Sequence, residues 1–314
     1  DYTNMSNQEK IQTKLLEHGM ILKYDSMVQG ATVELYRFTP SIGLKMSRIR
    51  TFVSDVEQVL GISDIRVLAP IPNSNLIGFE VPRADRNFPS APEADGFNLA
   101  IGQTIEGQVR RFDIRTAPHM LVAGSTGSGK SVFLNSIIKQ LMAIPNVSLY
   151  LFDPKQVEMD QYDGKVEMYR SDAMEITAAL AQLTQEMESR YGELKKVGAK
   201  NIKDYSGNMP YKFVIIDEYA DLVLRGETGH YVQLLAQKGR ACGIHLIIAT
   251  QRASTKIISG DIKVNFPVKA VFKMDKETSS RVMLDEGGAE KLKGKGDMLF
   301  AADLGLERLQ GYNV

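Results

Sequence analysis

The stretch that most constrains this chain is Gly124-Ser125-Thr126-Gly127-Ser128-Gly129-Lys130-Ser131, which satisfies the pattern G-x-x-x-x-G-K-[ST] at every defined position. A loop of this kind curls its backbone so that successive N–H groups point at phosphate oxygens, and glycine lets residues there take positive φ. The context is the required one. His119-Met120-Leu121-Val122-Ala123 is a short apolar run suited to a buried parallel strand, and from Val132-Phe133-Leu134 to Leu141-Met142 apolar residues recur at helical spacing. A strand thus leads into the loop and a helix leaves it, with free N–H groups and the positive dipole end where a phosphate would sit. ATP is the expected ligand of Gly124 to Val132, with Lys130 on the β/γ-phosphates and the Ser131 hydroxyl on Mg²⁺.

Around this motif the second half alternates strands and helices, the pattern of a doubly wound α/β sheet of mainly parallel strands. Strands are expected at Val109 to Arg115, Val147 to Phe152, Lys212 to Ile216, Gly243 to Ala249, Val268 to Phe272 and Asp297 to Phe300. A long helix is expected from Ser171, as N-cap, to Val197, with Gly198 as its stop. The first part reads differently. A helix over Gln8 to His18, a strand over Ala31 to Phe38, a helical stripe from Arg48 to Leu60 ended by Gly61, and strands at Ile65 to Leu68 and Leu76 to Val81 suggest a small α+β module. Pro82 to Gly96 is loop-like, which places a domain division near residue 100, with 1–100 preceding 101–314.

With 314 residues and 43% hydrophobic composition the chain can bury cores for two domains. It has no apolar run long enough to span a membrane, and residues 1–20 are too polar for a signal peptide. The lone Cys242 excludes an intrachain disulfide framework and suits a reducing, cytoplasmic setting. Four scattered histidines show no metal-ligand spacing. Lys+Arg and Asp+Glu balance at 38 each, so any nucleic acid must be held by a local basic patch. The chain starts at Asp1 rather than methionine, and a membrane anchor or recruiting partner is expected to lie outside it.

Two further stretches bear chemistry. Ile215-Ile216-Asp217-Glu218 delivers two acids to the carboxyl end of a buried strand, where ligands bind in open α/β sheets: Asp217 for Mg²⁺ through water, Glu218 with a side chain free to polarise an attacking water. Gln251 ends the next strand and should sit beside Asp217, as a γ-phosphate sensor or simply as a polar strand-end cap. Arg240 lies just before that strand, facing away from its own nucleotide. It could complement a helix dipole or act in trans on a neighbouring subunit's γ-phosphate, and spacing leaves both roles open.

Several stretches in register give a specific resemblance: the phosphate loop after Pro118-His119-Met120, Phe152-Asp153-Pro154-Lys155, Glu186-Met187-Glu188-Ser189-Arg190-Tyr191, Ile216-Asp217-Glu218-Tyr219-Ala220-Asp221-Leu222, Gln237-Lys238-Gly239-Arg240-Ala241-Cys242-Gly243, Ala249-Thr250-Gln251-Arg252 and Gly296-Asp297-Met298-Leu299. From about residue 8 onward the chain resembles the motor of the FtsK/SpoIIIE family of hexameric double-stranded DNA translocases. The resemblance implies a RecA-like P-loop NTPase domain, called α, preceded by a β domain carrying Gly43-Leu44-Lys45-Met46-Ser47-Arg48-Ile49, with no winged-helix γ domain. It implies a homo-hexameric ring, Arg240 as a trans arginine finger, and DNA contacts mapped onto Arg252, Lys263 and Arg281, with Lys256 and Lys276 nearby. Phosphate contacts of this type are sequence-independent and salt-sensitive. Ala253 stands where the family usually has Pro, and Glu277 where a basic residue is common. A protein-exporting ATPase of the type VII class is the alternative the same resemblance leaves open.

Overall fold

The computed structural model describes residues 2–224 and 226–314. Its first elements are α1 (Asn7–Glu17), β1 (Leu22–Gln29), β2 (Val33–Pro40), α2 (Met46–Thr51), α3 (Val53–Leu60), β3 (Arg66–Leu68) and β4 (Ile77–Pro82). The four strands form one antiparallel sheet in the order β1-β2-β4-β3. Its inner face meets the helices in a core that includes Ile11, Leu15, Phe38, Val56 and Phe79. Ser6 and Glu9 cap the start of α1 reciprocally, and Gly61, left-handed at φ 68°, ends α3 as expected. The expected single helix over Arg48 to Leu60 is broken. Phe52 leaves helical geometry between α2 and α3, and its ring stacks on His18 with centroids 4.0 Å apart.

The remainder continues with β5 (Asn98–Gln103), β6 (Val109–Asp113), β7 (Met120–Ala123), α4 (Lys130–Met142), β8 (Val147–Phe152), β9 (Met168–Arg170), α5 (Ala173–Lys196), β10 (Tyr211–Ile216), α6 (Tyr219–Val223) and α7 (Thr228–Lys238). It ends with β11 (Ile244–Thr250), α8 (Gly260–Asn265), β12 (Val268–Phe272), α9 (Glu277–Leu284), β13 (Asp297–Ala302) and β14 (Gly305–Gln310). All ten strands form one sheet in the order β6-β5-β14-β13-β12-β7-β11-β10-β8-β9. The six from β12 to β9 are mutually parallel, whereas β13, β14, β5 and β6 add an antiparallel wing.

Helices cover both faces of the parallel block, so its strands are apolar without alternation; all seven residues of β11 are buried. Leu149 and Leu151 of β8 pack with Ile137 and Leu141 of α4, and Tyr150 and Phe152 pack with Leu180 and Met187 of α5. Alternate residues of one strand thus feed opposite cores. The N-cap of α5 is Asp172, one residue beyond the expected Ser171: the Asp172 carboxylate accepts from the Met174 and Glu175 amides, while the Ser171 hydroxyl accepts from Gln156. Among the described residues, no helix is long and apolar enough to cross a membrane.

Candidate nucleotide-binding site

The parallel register sets Thr250 of β11 opposite Ala123 of β7, and Ile216 of β10 opposite Ile248 of β11. The carboxyl ends of β7, β10 and β11 therefore carry the phosphate loop, Asp217-Glu218 and Gln251 side by side. Gly127 and Gly129 take φ of 75° and 102°, the left-handed conformations that the loop requires. At Gly124 a Cβ would strike the Ser128 hydroxyl and lie 2.8 Å from Phe272 Cβ. The loop is braced from the residue after β12, since both the amide and the hydroxyl of Ser125 donate to the Lys273 carbonyl at 2.9 Å.

Lys130 is buried and its ammonium donates to Asp217. Burial pushes the Asp217 carboxyl above its ordinary range, against the opposing pull of the Lys130 charge. Ser131, in the first turn of α4, lines the cavity on which the phosphate loop opens, beside Lys130. One hydroxyl and one carboxylate, completed by phosphate oxygens and water, suit an Mg²⁺ ion, which takes few protein ligands. When bound, the ion would be held by Ser131 and Asp217 and would neutralise charge on the β- and γ-phosphates.

Glu218 differs from the expectation. Its side chain is not free: the carboxylate is 1% exposed and accepts from the Thr250 hydroxyl (2.7 Å), the Gln251 amide (3.1 Å) and Lys155 Nζ (3.3 Å). Its backbone is left-handed, φ 56° and ψ 64°, a strain on the order of 1 kcal/mol that these bonds hold in place. Gln251 lies where expected, its side chain accepting from Thr126 of the loop at 3.3 Å.

Sequence reasoning missed the group that supplies Lys155. Asp153, fully buried, accepts from five successive backbone amides, Lys155 to Met159, and so folds the 155–159 loop that carries Lys155 to Glu218 and Glu158 to the cavity. A short acid after an apolar strand and before Pro154 was the available signal. Also missed was the far wall. The phosphate loop opens on a cavity of about 440 Å³ whose other side is Phe88, Val132, Tyr312 and Asn313. Burial pushes the Tyr312 phenol up to about 12, and its hydroxyl has no partner among the described residues.

Arg240 lies elsewhere. It belongs to a turn before β11, at the amino ends of the strands, and is exposed with Nη2 donating to the Thr116 carbonyl at 2.8 Å. Seven residues of β11, roughly 20 Å at a rise of about 3.3 Å each, separate it from Gln251. It lines a separate cavity with Arg115, Lys203, Lys238 and His245.

The basic candidates fall on two neighbouring stretches. Arg252 and Lys256 are exposed on the loop after β11, with Arg252 3.8 Å from Asp221, and Lys263 on α8 pairs with Asp285 at 2.5 Å. Lys276 is exposed ahead of α9. Arg281, on α9, pairs with Glu277 at 2.6 Å, and both line a cavity facing Arg50 and Arg66 of the first module.

The sheet order, the glycine loop and the acids on the neighbouring strand define a P-loop nucleoside triphosphatase fold. Residues 91–213 and 206–255 match the model of the FtsK/SpoIIIE family, and residues 2–83 match that of the FtsK alpha domain. The chain belongs to the FtsK/SpoIIIE family. The small first module thus carries the letter α, and the resemblance had the two letters the other way round. The chain is 36% identical over 330 residues to the DNA translocase FtsK of Leptospira interrogans, covering 94% of this chain and 35% of that protein. It is 36% identical over 326 residues to the DNA translocase SpoIIIE of Bacillus subtilis, covering 94% and 41%. It therefore spans little more than a third of the length of these relatives. Among solved structures, the conjugation coupling protein TcpA of pCW3, in its monomer form with ATPγS, shares the fold at TM-score 0.69 and 24% identity, over 98% of this chain and 94% of that one. The type VII secretion ATPase EccC of Thermomonospora curvata follows at TM-score 0.61 and 22% identity, over 72% and 30%.

Proposed function

We propose that this chain is the motor portion of an ATP-driven double-stranded DNA translocase that works as a homo-hexameric ring; its relatives are named DNA translocases, which supports the DNA part of the reading. One observation carries the shared-site part of the reading. The groups that would bind phosphate and polarise water all lie at the carboxyl ends of the strands, and Arg240 lies at the opposite end of the same sheet. In a head-to-tail ring Arg240 of one copy reaches the γ-phosphate held by the next. Gly124 to Val132 cradle the phosphates, Lys130 leaves Asp217 for the β/γ-phosphates, Asp217 and Ser131 hold Mg²⁺, and the base lies toward Phe88 and Tyr312. Glu218 takes the proton of the attacking water once Lys155 and the Gln251 amide release it, and Gln251 reads the γ-phosphate. Arg252, Lys256, Lys263, Lys276 and Arg281 contribute phosphate contacts to a central channel, with Arg281 and Lys263 first leaving Glu277 and Asp285. The chain divides near residue 100 into module and motor. The motor works on the cytoplasmic side, and any anchor or recruiting partner binds outside this segment.

The decisive measurement is ATP hydrolysis with and without linear duplex across a salt series. Turnover should rise many-fold with duplex and lose that stimulation as salt rises, because each phosphate contact releases counterions. An assembled ring whose hydrolysis ignores duplex would overturn the DNA assignment and favour protein export, the class of EccC.

A further inference from the structure

Beside separate contacts such as Arg37–Glu106 and the bond from Lys291 to the Ile65 carbonyl, the polar links between the small module and the motor gather around one short loop, Lys293 to Asp297, and that loop rests on the phosphate loop. A Cβ at Gly129 would collide with the Gly296 backbone nitrogen and lie 2.7 Å from its Cα, so the two backbones touch with no side chain between them. Gly296 N donates to the Ser128 carbonyl at 2.9 Å. Gly294, Lys295 and Gly296 are all left-handed, at φ 70°, 50° and 91°, a tight bend with little room to absorb movement.

The other side of the bend is tied to the small module by a connected set of polar groups. The buried Asp297 carboxylate accepts from the Lys293 amide (2.7 Å) and from Arg308 Nε and Nη2 (3.0 and 2.8 Å). Arg308 Nη1 then donates to Glu80 of β4 at 2.8 Å, and Arg66 of β3 holds the second Glu80 oxygen at 3.1 Å. Lys293 pairs with Asp64 at 3.1 Å, Gln310 joins Lys295 to Thr32, and Arg86, from the segment between the two units, donates to the Lys293 and Gly294 carbonyls. Arg66, Glu80, Asp297 and Arg308 are two cations and two anions. A buried set of this kind adds little net stability over an apolar contact of the same size, but it fixes one relative geometry.

We propose that the Lys293–Asp297 loop passes the state of the phosphate loop to the small module, with Arg308 and Glu80 as the positioning residues that carry the displacement. The Gly127–Gly129 backbone shifts when phosphates enter, the touching bend at Gly296 moves with it, and the Asp297–Arg308–Glu80 bridge turns the module. This rests on the nucleotide reading of the site and is independent of DNA.

The test uses the whole chain with reporter labels at Ile42→Cys in the small module and Met174→Cys on α5, both exposed, while the native Cys242 is buried. Adding ATPγS should change the label separation. Glu80→Gln, of the same shape but without the charge, should remove more than half of that change while leaving the affinity for a fluorescent ATP analogue as it was. A merely cohesive role would lower the melting temperature and leave the separation change intact. Asp64→Asn, in a partly exposed pair, should give a smaller loss, and it decides the matter if Glu80→Gln fails to fold. An unaltered separation change in the folded variant overturns the proposal, as does an unresponsive wild-type chain with ATPγS bound. A chain that binds no nucleotide at all takes down the site reading, and this proposal with it.

Discussion

The two ends of the parallel sheet are built from the same strands and behave as opposites. At the carboxyl ends the buried charged side chains are answered from within the chain: Lys130 by Asp217, Glu218 by Thr250 and Gln251, and Asp153 by five amides. At the amino ends the principal cation, Arg240, is exposed and held by one carbonyl. Preorganised groups of the first kind lose their effect wherever one is removed, within a single copy. A group of the second kind has little to do in its own copy, so its removal tells whether the two ends meet across copies.

The largest expected effect follows from that contrast. Arg240→Ala should cut ATP turnover of the assembled protein by about 10³-fold or more, the usual worth of a trans arginine, and leave nucleotide affinity of the dispersed chain unaltered. Mixing Arg240→Ala copies with Lys130→Ala copies should recover turnover, because hybrid sites then hold one intact half from each. Two dead parents that stay dead when mixed would break the comparison outright.

Next in size is Glu218→Gln. The amide can still accept from Thr250 and Gln251, so the left-handed turn persists, but no base remains; turnover should fall about 10²- to 10⁴-fold with ATP still bound. Single-turnover hydrolysis together with a filter-binding assay would separate the two effects. Normal hydrolysis in this variant would remove Glu218 from the chemistry and leave it a structural brace.

The contrast also explains how much could be read beforehand. Val147 to Phe152 and Val268 to Phe272 match β8 and β12 at both ends, because strands buried on two faces are written as unbroken apolar runs. The phosphate loop, Asp217 and Gln251 were legible because backbone curvature and strand-end position dictate residue type locally. β14 was not. Arg308 and Gln310 point inward, toward Glu80 and Thr32, partners 228 and 278 residues away in the chain, and no local pattern reports such a pairing. β1 was missed for another reason: only one of its faces is covered, and although burial alternates along it without a break, polar Ser26 stands on the half-buried side and apolar Met27 on the open one, so residue type does not alternate. The pinned carboxylate of Glu218 was equally hidden, since it depends on a positive φ and on a lysine delivered by Asp153's folded loop.

The smallest expected effect belongs to the amino end and sharpens what anchors Arg240 there. His245 lines its cavity, donates from Nδ1 to the Pro118 carbonyl at 2.8 Å and stacks on Phe213 with centroids 5.2 Å apart. Burial, aided by the nearby Arg240 charge, lowers its imidazole from 6.5 to about 4, and burial takes the neighbouring His119 to about 3. Both rings are neutral when folded, whereas the unfolded chain takes up protons below pH 6.5. Their contribution is therefore complete above pH 6.5 and is lost as pH falls toward the folded values. Between pH 6.5 and 5 each should account for about 2 kcal/mol of lost stability. His245→Phe keeps the stack and gives up one hydrogen bond, about 1 kcal/mol at pH 7.5, but should flatten the acid slope by one histidine's share. Urea midpoints across pH 5 to 7.5 measure both. An identical slope in the variant would mean that His245 is protonated in the fold, and the amino end would then hold two adjacent cations rather than one.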